Sequence, residues 1–531
     1  MGVDGRPTSE TGQLEGGLRR ATAAMAASTL LSRLTGFGKV LALAYALGLT
    51  RLTDAYTLAN TTPNMVYELV LGGVLSATLI PIFVERLVKD DADEASEAIS
   101  AVATVAILAA ALLSVLFFVV APVLVRLYTV RLSGPEAEAQ QAVATVLARM
   151  FAPQILFYGA ITVVGALLHA RRRFVAPMIT PVLNNLAVIA ALVALPHVAR
   201  DLTLEGIRSN PGALALLGLG TTAGVAVQAL ALLPALRASG VRLRLRLAMG
   251  HPAVRRAAGL SGWTLGYVVA NQVTLWAVLV LANRDAGNPA AYQIAYQFFL
   301  LPHAVVAVSV MSALLPGLAS RWSEGDQPGY WRTLSVGLRS VAALLVPAAV
   351  GYLMLARPIV TAVLEHGAFS GAAATTTAGV LALFALGLPF FSAYLLLMRA
   401  YQAMQNTRAM FLAYLLENGL NLVLALILYP FLGVAGLALA FSLAYAAGTI
   451  AVLADLRRRG GGLDLALLFQ TLTRVTLATT VMAAVVAAVR WLVVSPGAEV
   501  VVGAGAGLAV YLGVARFTGV AELAGAFRRR S

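Results

Sequence analysis

Apolar runs of roughly 20 to 30 residues, separated by short polar connections, fill the chain from residue 22 to residue 516. About 20 predominantly apolar residues carry a helix across a bilayer. Fourteen stretches qualify, at 22–49, 55–84, 98–126, 140–169, 174–197, 212–236, 257–283, 289–319, 334–363, 373–403, 409–430, 433–455, 471–494 and 498–516. We number them spans 1 to 14. A membrane barrel would alternate apolar and polar positions over segments of about ten residues, whereas these runs are continuous and rich in Leu and Ala. The expected fold class is therefore an all-α integral membrane protein with 14 transmembrane helices.

The polar connections alternate in charge. One set carries Arg19 and Arg20, Arg86 and Lys89, Arg171 to Arg173, Arg237 to Arg256, Arg321 and Arg332, Arg457 to Arg459 and Arg528 to Arg530, while the other holds only scattered arginines such as Arg51, Arg131 and Arg284. Cytoplasmic connections collect Lys and Arg, so both termini are expected in the cytoplasm and the number of crossings is even. The formal net charge of +14 is thus a matter of topology, with no single basic face for nucleic acid.

Two passages recur along the chain. ATLIP at 77–81 matches SALLP at 312–316, and HARRRFVAPMITPVLNN at 169–185 aligns with QAMQNTRAMFLAYLLEN at 402–418, placing Asn185 and Asn418 in register. The expected organisation is a tail at 1–21, an N-lobe at 22–236 (spans 1–6), a basic linker at 237–256, a C-lobe at 257–456 (spans 7–12), and spans 13 and 14 with a basic tail at 457–531. The tail at 1–21 is polar and glycine-rich and is expected to be disordered. Both lobes start on one side of the membrane, so the repeat is parallel, and two similar bundles around a central cavity are suited to alternating access.

Composition narrows the chemistry. The chain is 60% hydrophobic, 12% charged and free of cysteine, and its mean hydropathy is +0.84. Disulfides and thiolate chemistry are excluded. The five histidines are scattered without ligand spacing, and neither a phosphate-binding loop nor a nucleophile–base pair is visible, which argues against a metal site, an ATPase and covalent catalysis.

What remains are polar residues inside the spans, each costly in hydrocarbon and therefore a functional candidate. Span 1 carries Arg33 and Lys39 around Gly36 and Gly38. In span 2, Asn60, Asn64 and Glu68 recur every four residues on one helical face, Pro63 interrupts the backbone, and Asp54 stands at the outer mouth as either a helix cap or a gate. Span 8 offers Tyr292 with Tyr296 and Gln293 with Gln297, span 7 Asn271 and Gln272, and span 11 Glu417, Asn418 and Asn421. Glu417 suits either a proton or sodium ion or an ion pair with a buried arginine such as Arg149. Arg399 lies near the end of span 10, within snorkelling reach of water. Fixed positive charge opposite amide and hydroxyl groups favours an anionic, hydrogen-bonding substrate.

The stretches AAMAASTLLSRLTGFGKVLALAYALG, TDAYTLANTTPNMVYELVLGGVLSATLIPIFVERL, RRRFVAPMITPVLNN and LLLMRAYQAMQNTR resemble the MurJ/MviN family of lipid II flippases, within the multidrug, oligosaccharidyl-lipid and polysaccharide exporter superfamily. The resemblance implies two six-helix lobes and a final helix pair that helps to form a groove for a lipid tail. It implies that Arg33 is the essential cavity arginine, that Lys39 replaces a second arginine, that Asp54 is the aspartate of the TDA triplet, and that Arg399 is the basic residue before the turn aromatic Tyr401. These cations would hold the diphosphate of lipid II, the undecaprenyl-diphosphate-linked disaccharide-pentapeptide, in a bacterial plasma membrane. The partners implied are the bilayer and cell-wall synthesis proteins. No resident cofactor is implied, the drive being membrane potential or Na+ or H+ coupling. The chain departs from the pattern at Tyr67 and Glu68, where many members have arginines, and at Gln297, where many have another. The competing expectations are a cation-coupled exporter of small molecules, another lipid-linked glycan as cargo, and a non-transporting scaffold.

Overall fold

In the computed structural model, residues 9–69, 73–89, 92–241, 243–250, 252, 254, 262–460, 462–520 and 522 are described. They contain helices, turns and no strand. Among the described residues, twelve helices are long and apolar enough to cross a membrane. The expected count of fourteen differs from this at two places. Spans 11 and 12 form one helical run, Thr407–Arg458, of 52 residues, which at 1.5 Å per residue is far longer than one crossing. It is two helices that meet at a kink at Gly433, whose φ of 56° and ψ of −140° are open to glycine alone. Span 2 is the other case, built from Arg51–Tyr67 and Gly73–Lys89 with residues 70–72 outside the described set.

The first helix runs from Ser9 to Leu47, which corrects the expectation of a disordered tail to residue 21; residues 1–8 lie outside the described residues. No proline interrupts residues 9–47, and once span 1 is helical each added residue brings one hydrogen bond for one ordered backbone.

The spans bend where the sequence removes or wedges backbone bonds. Span 4 breaks at Ala152 and Pro153, and hydroxyls of neighbouring spans bond carbonyls there: Thr222 donates to Met150 at 2.7 Å, and Ser114 donates at 2.8 Å to Ala152, which also accepts the Ile155 N–H. Span 2 widens into a π turn at residues 68 and 69, and span 8 does so at His303–Ala307, 235 positions further on, the same offset as ATLIP to SALLP. Both repeats thus carry the irregularity at the same place, and such turns gather at functional sites.

The chain packs as two compact units. The first comprises Met1–Ala46, Ala59–Val125 and Ala139–Leu265, the second Leu47–Leu58, Arg126–Glu138 and Gly266–Ser531. In the first, Leu79, Phe83, Ile99, Val102, Val163 and Leu167 form an apolar core from spans 2, 3 and 4. The basic linker lies along span 3, with the Arg244 and Arg246 N–H groups donating to Ser100 and Thr104 at 3.1 and 3.0 Å and Arg246 paired with Glu97. In the second, spans 13 and 14 close on span 9 through Val475, Met482, Val486 and Tyr511.

Candidate functional site

Asn185 and Asn418 occupy matching positions in the two halves and make matching links. Asn185 in span 5 donates to the Ser32 carbonyl at 3.2 Å and to the Thr35 hydroxyl at 3.1 Å, on span 1. Asn418 in span 11 donates to Asn271 of span 7 at 2.7 Å. Each amide therefore braces a late helix of its own half against the first. The Asn185 brace flanks Arg33, whose guanidinium is exposed and has no ion-pair partner among the described residues, while Lys39, six residues on, is half-buried and also without one. Within the first unit, Tyr67 turns toward span 4, bonding Thr162 at 2.5 Å and packing at a tilt against Tyr158 with ring centroids 5.1 Å apart. Glu68, next to it at the π turn, is exposed. Asn60 and Asn64 are half-buried, and Asn64 donates back to the Asn60 carbonyl at 2.7 Å.

Asp54 is fully buried, and it caps a helix other than its own. Its carboxylate accepts the Gly287 N–H at 2.7 Å and the Ala290 N–H at 3.3 Å, at the start of span 8, whose N-cap Gly287 has no side chain to do this. Gly287 has φ +81°, and a Cβ there would lie 2.9 Å from the Leu49 carbonyl oxygen, so the close approach requires glycine. Asp54 and Gly287 lie 233 residues apart in sequence. Arg51 completes the network: it pairs with Glu136 at 2.7 Å and donates to the carbonyls of Asn283 and Arg284 at 2.7 and 3.0 Å. Asn283 in turn donates to the Tyr128 carbonyl at 3.2 Å. Sequence reading placed Arg51 only among sparse outer charges and did not find Glu136 or Asn283, which carry no periodic signal.

Span 11 contributes to a cavity of about 330 Å³ within the second unit. Glu417, Asn418 and Asn421 all line it, together with Asn271, Gln293 and the hydroxyl-bearing Tyr296. Glu417 accepts from Asn418 at 2.9 Å, and no cation pairs with it among the described residues. The ion pair with Arg149 is overturned, since that guanidinium sits over the Phe118 ring at 5.3 Å. The Asn421 Oδ1 is buried without a hydrogen-bond partner among the described residues. A buried carboxylate and an unpaired amide oxygen are hard donors suited to a proton or a small cation. The walls are aromatic, with Phe441 and Tyr445 ring centroids 4.6 Å apart.

Gln297 and Arg399 are not part of this cavity. Gln297 is exposed, and it is Gln293, one helical turn earlier, that lines the wall. Arg399 is exposed and bonds Gln402 at 2.8 Å, while Tyr401 beside it bonds Asp455 at 2.5 Å. Among the described residues no cluster of three or more His, Cys, Asp or Glu is placed to hold a metal.

A family profile described as lipid II flippase MurJ matches residues 43–502. Arg33 and Lys39 precede that stretch. Among similar proteins, a probable lipid II flippase MurJ of Rhizobium meliloti is 27% identical over 478 residues, covering 88% of this chain and 86% of that protein. The lipid II flippase MurJ of Burkholderia cenocepacia is 28% identical over 455 residues, covering 83% and 84%. Among solved structures, a lipid II flippase MurJ in an inward closed conformation superposes with a TM-score of 0.77 at 20% identity, over 93% of this chain and 98% of that one. An inward-facing multidrug resistance MATE transporter does so with a TM-score of 0.64 at 12% identity, over 81% and 95%. With a profile match across most of its length, this multi-pass membrane protein belongs to the MurJ family of lipid II flippases.

Proposed function

We propose that this chain is a flippase that moves lipid II from the cytoplasmic to the outer leaflet of a bacterial plasma membrane by alternating access, as a transporter that forms no covalent bond with its cargo. The family match over residues 43–502 carries this reading. In it both termini are cytoplasmic, and the chain crosses the membrane fourteen times, with span 2 and the two limbs of Thr407–Arg458 as separate crossings. Arg33 and Lys39 hold the diphosphate; that no carboxylate pairs with Arg33 among the described residues supports the role, because a structural arginine in a span normally takes one. The apolar cavity of about 340 Å³ formed by spans 9, 13 and 14 takes the polyprenyl tail. Glu417, Asn418 and Asn421 bind the coupling ion, a proton or Na+.

The reading is tested by depleting the protein and following lipid-linked precursors. Lipid II accumulating on the cytoplasmic face is expected, with translocation restored by the wild-type chain. Unchanged translocation on depletion would reduce it to a scaffold. A second reading, a cation-coupled exporter, draws on the enclosed acid Glu417 and the MATE likeness. Drug sensitivity without lipid II accumulation is the outcome that favours it.

A further inference from the structure

A second, separate pair of cavities lies in the second unit on spans 9, 10, 12 and 13. At the arginine-rich end of the helices, a polar hollow of about 930 Å³ is lined by Arg332, Arg339 and Arg459, the indoles of Trp322 and Trp331, and one carboxylate, Asp464. Two of the arginines are anchored by carboxylates that do not line the hollow: Arg339 bonds Glu522 at 2.8 Å and Arg459 bonds Asp455 at 2.6 Å. Asp464 is engaged as the cap of the span 13 helix, accepting the Leu467 N–H at 2.9 Å. Arg332 is exposed and has no ion-pair partner among the described residues. The lining therefore presents three guanidiniums against one occupied carboxylate. Gly460, with φ +85°, and Gly462, against the Trp331 indole, complete the lining.

Directly below, an apolar groove of about 350 Å³ continues on the same helices. Its lining begins at Leu338, beside Arg339, and at Leu468, beside Leu467 of the hollow, and runs down to Leu353, with Phe390 and Ile450 on the facing helices. From Leu338 to Leu353 the helix rises about 22 Å, close to the depth of one leaflet and the length of one acyl chain. A polyprenyl carrier is far longer than this groove.

We infer that this basic, tryptophan-walled hollow and the groove beneath it form a binding site for one anionic phospholipid, its phosphate at Arg332, Arg339 and Arg459 and an acyl chain between spans 9, 10, 12 and 13. Guanidinium binds phosphate through several parallel N–H bonds, and Arg339 and Arg459 retain donors beyond those used on their carboxylates. Tryptophan favours the headgroup level of a bilayer, and basic pockets between helices at the cytoplasmic boundary select anionic headgroups. The site is distinct from the groove of spans 9, 13 and 14 assigned to the cargo tail.

The full chain, purified and titrated in native mass spectrometry with phosphatidylglycerol, phosphatidylethanolamine, glycerol 3-phosphate and polyprenyl diphosphate, tests this. Phosphatidylglycerol is expected to bind in preference to phosphatidylethanolamine. Arg332→Ala should weaken it by about fivefold, as expected for one basic residue at a membrane surface. Arg408→Ala, which removes an exposed arginine elsewhere, should leave binding unchanged, and Ala393→Trp, which fills the groove, should abolish it. Equal binding of phosphatidylethanolamine overturns the headgroup assignment. Equal binding of glycerol 3-phosphate makes the hollow a soluble-anion site. Displacement by polyprenyl diphosphate gives the site to the cargo, and equal losses in the Arg332 and Arg408 variants reduce the effect to general surface charge.

Discussion

At the scale of single residues, the chain places its costliest groups where each makes a testable demand. Arg33→Ala is expected to abolish complementation of a depleted strain while leaving the protein level in the membrane unchanged; full complementation would remove Arg33 from the diphosphate role. Lys39→Arg should be tolerated and Lys39→Ala should not, because a cation is what the role requires, and equal growth of both would show the charge to be dispensable. Asp54 makes a structural demand as well. Its carboxylate satisfies two N–H groups at the head of span 8. Asp54→Ala should therefore cost about 1.5 to 3 kcal/mol, read as a lower melting midpoint of the purified protein, with Asp54→Asn recovering part of the loss through its remaining oxygen. An unaltered midpoint in the alanine variant would contradict the cap. The sequence offered Asp54 as a helix cap or a gate, but not which helix it caps, because its partners lie 233 and 236 residues away and a local pattern carries no such information. Glu417 stood out in the sequence because charge in an apolar run is conspicuous, but its place in the cavity wall, away from Arg149, depended on packing.

Among the helices, backbone irregularities set where the spans turn. Gly433 joins spans 11 and 12 in a conformation that L side chains resist, so Gly433→Ala is expected to cost about 1 to 3 kcal/mol and to lower the yield of folded monomer in size-exclusion chromatography. Wild-type yield and melting would show that the kink tolerates a side chain. The kink at Gly433 falls where the sequence divides those spans, at Pro430 and Gly433 in an otherwise apolar run. The sequence did not reveal the π turns at residues 68–69 and 303–307, because a one-residue widening leaves hydropathy unchanged. Their recurrence at the ATLIP offset ties the weak sequence repeat to backbone shape. At the first of these turns Tyr67 and Glu68, adjacent in sequence, point apart as neighbours on a helix do, one packed on span 4 and the other exposed.

For the whole molecule, hydropathy and the alternation of arginines made the helical membrane architecture readable, because crossing a bilayer is decided by composition over some 20 residues. Topology is open to direct measurement, helped by the lack of native cysteine. Ser133→Cys, between spans 3 and 4, should react with a membrane-impermeant thiol reagent in intact cells, whereas Ser323→Cys, between spans 8 and 9, should react only after permeabilisation. The reverse pattern would invert the chain in the membrane. What composition could not supply was the pairing of distant segments. The residues 47–58 and 126–138 pack with the unit built mainly from the second half of the chain, although they belong to the first by order.

That arrangement bears on how the protein is made. When span 8 leaves the ribosome its first turn has no capping side chain of its own, and the carboxylate that completes it was inserted long before, at the head of span 2. A C-terminal half synthesised alone brings nothing to that position, so two half-chains expressed from separate messages must meet before the turn is finished.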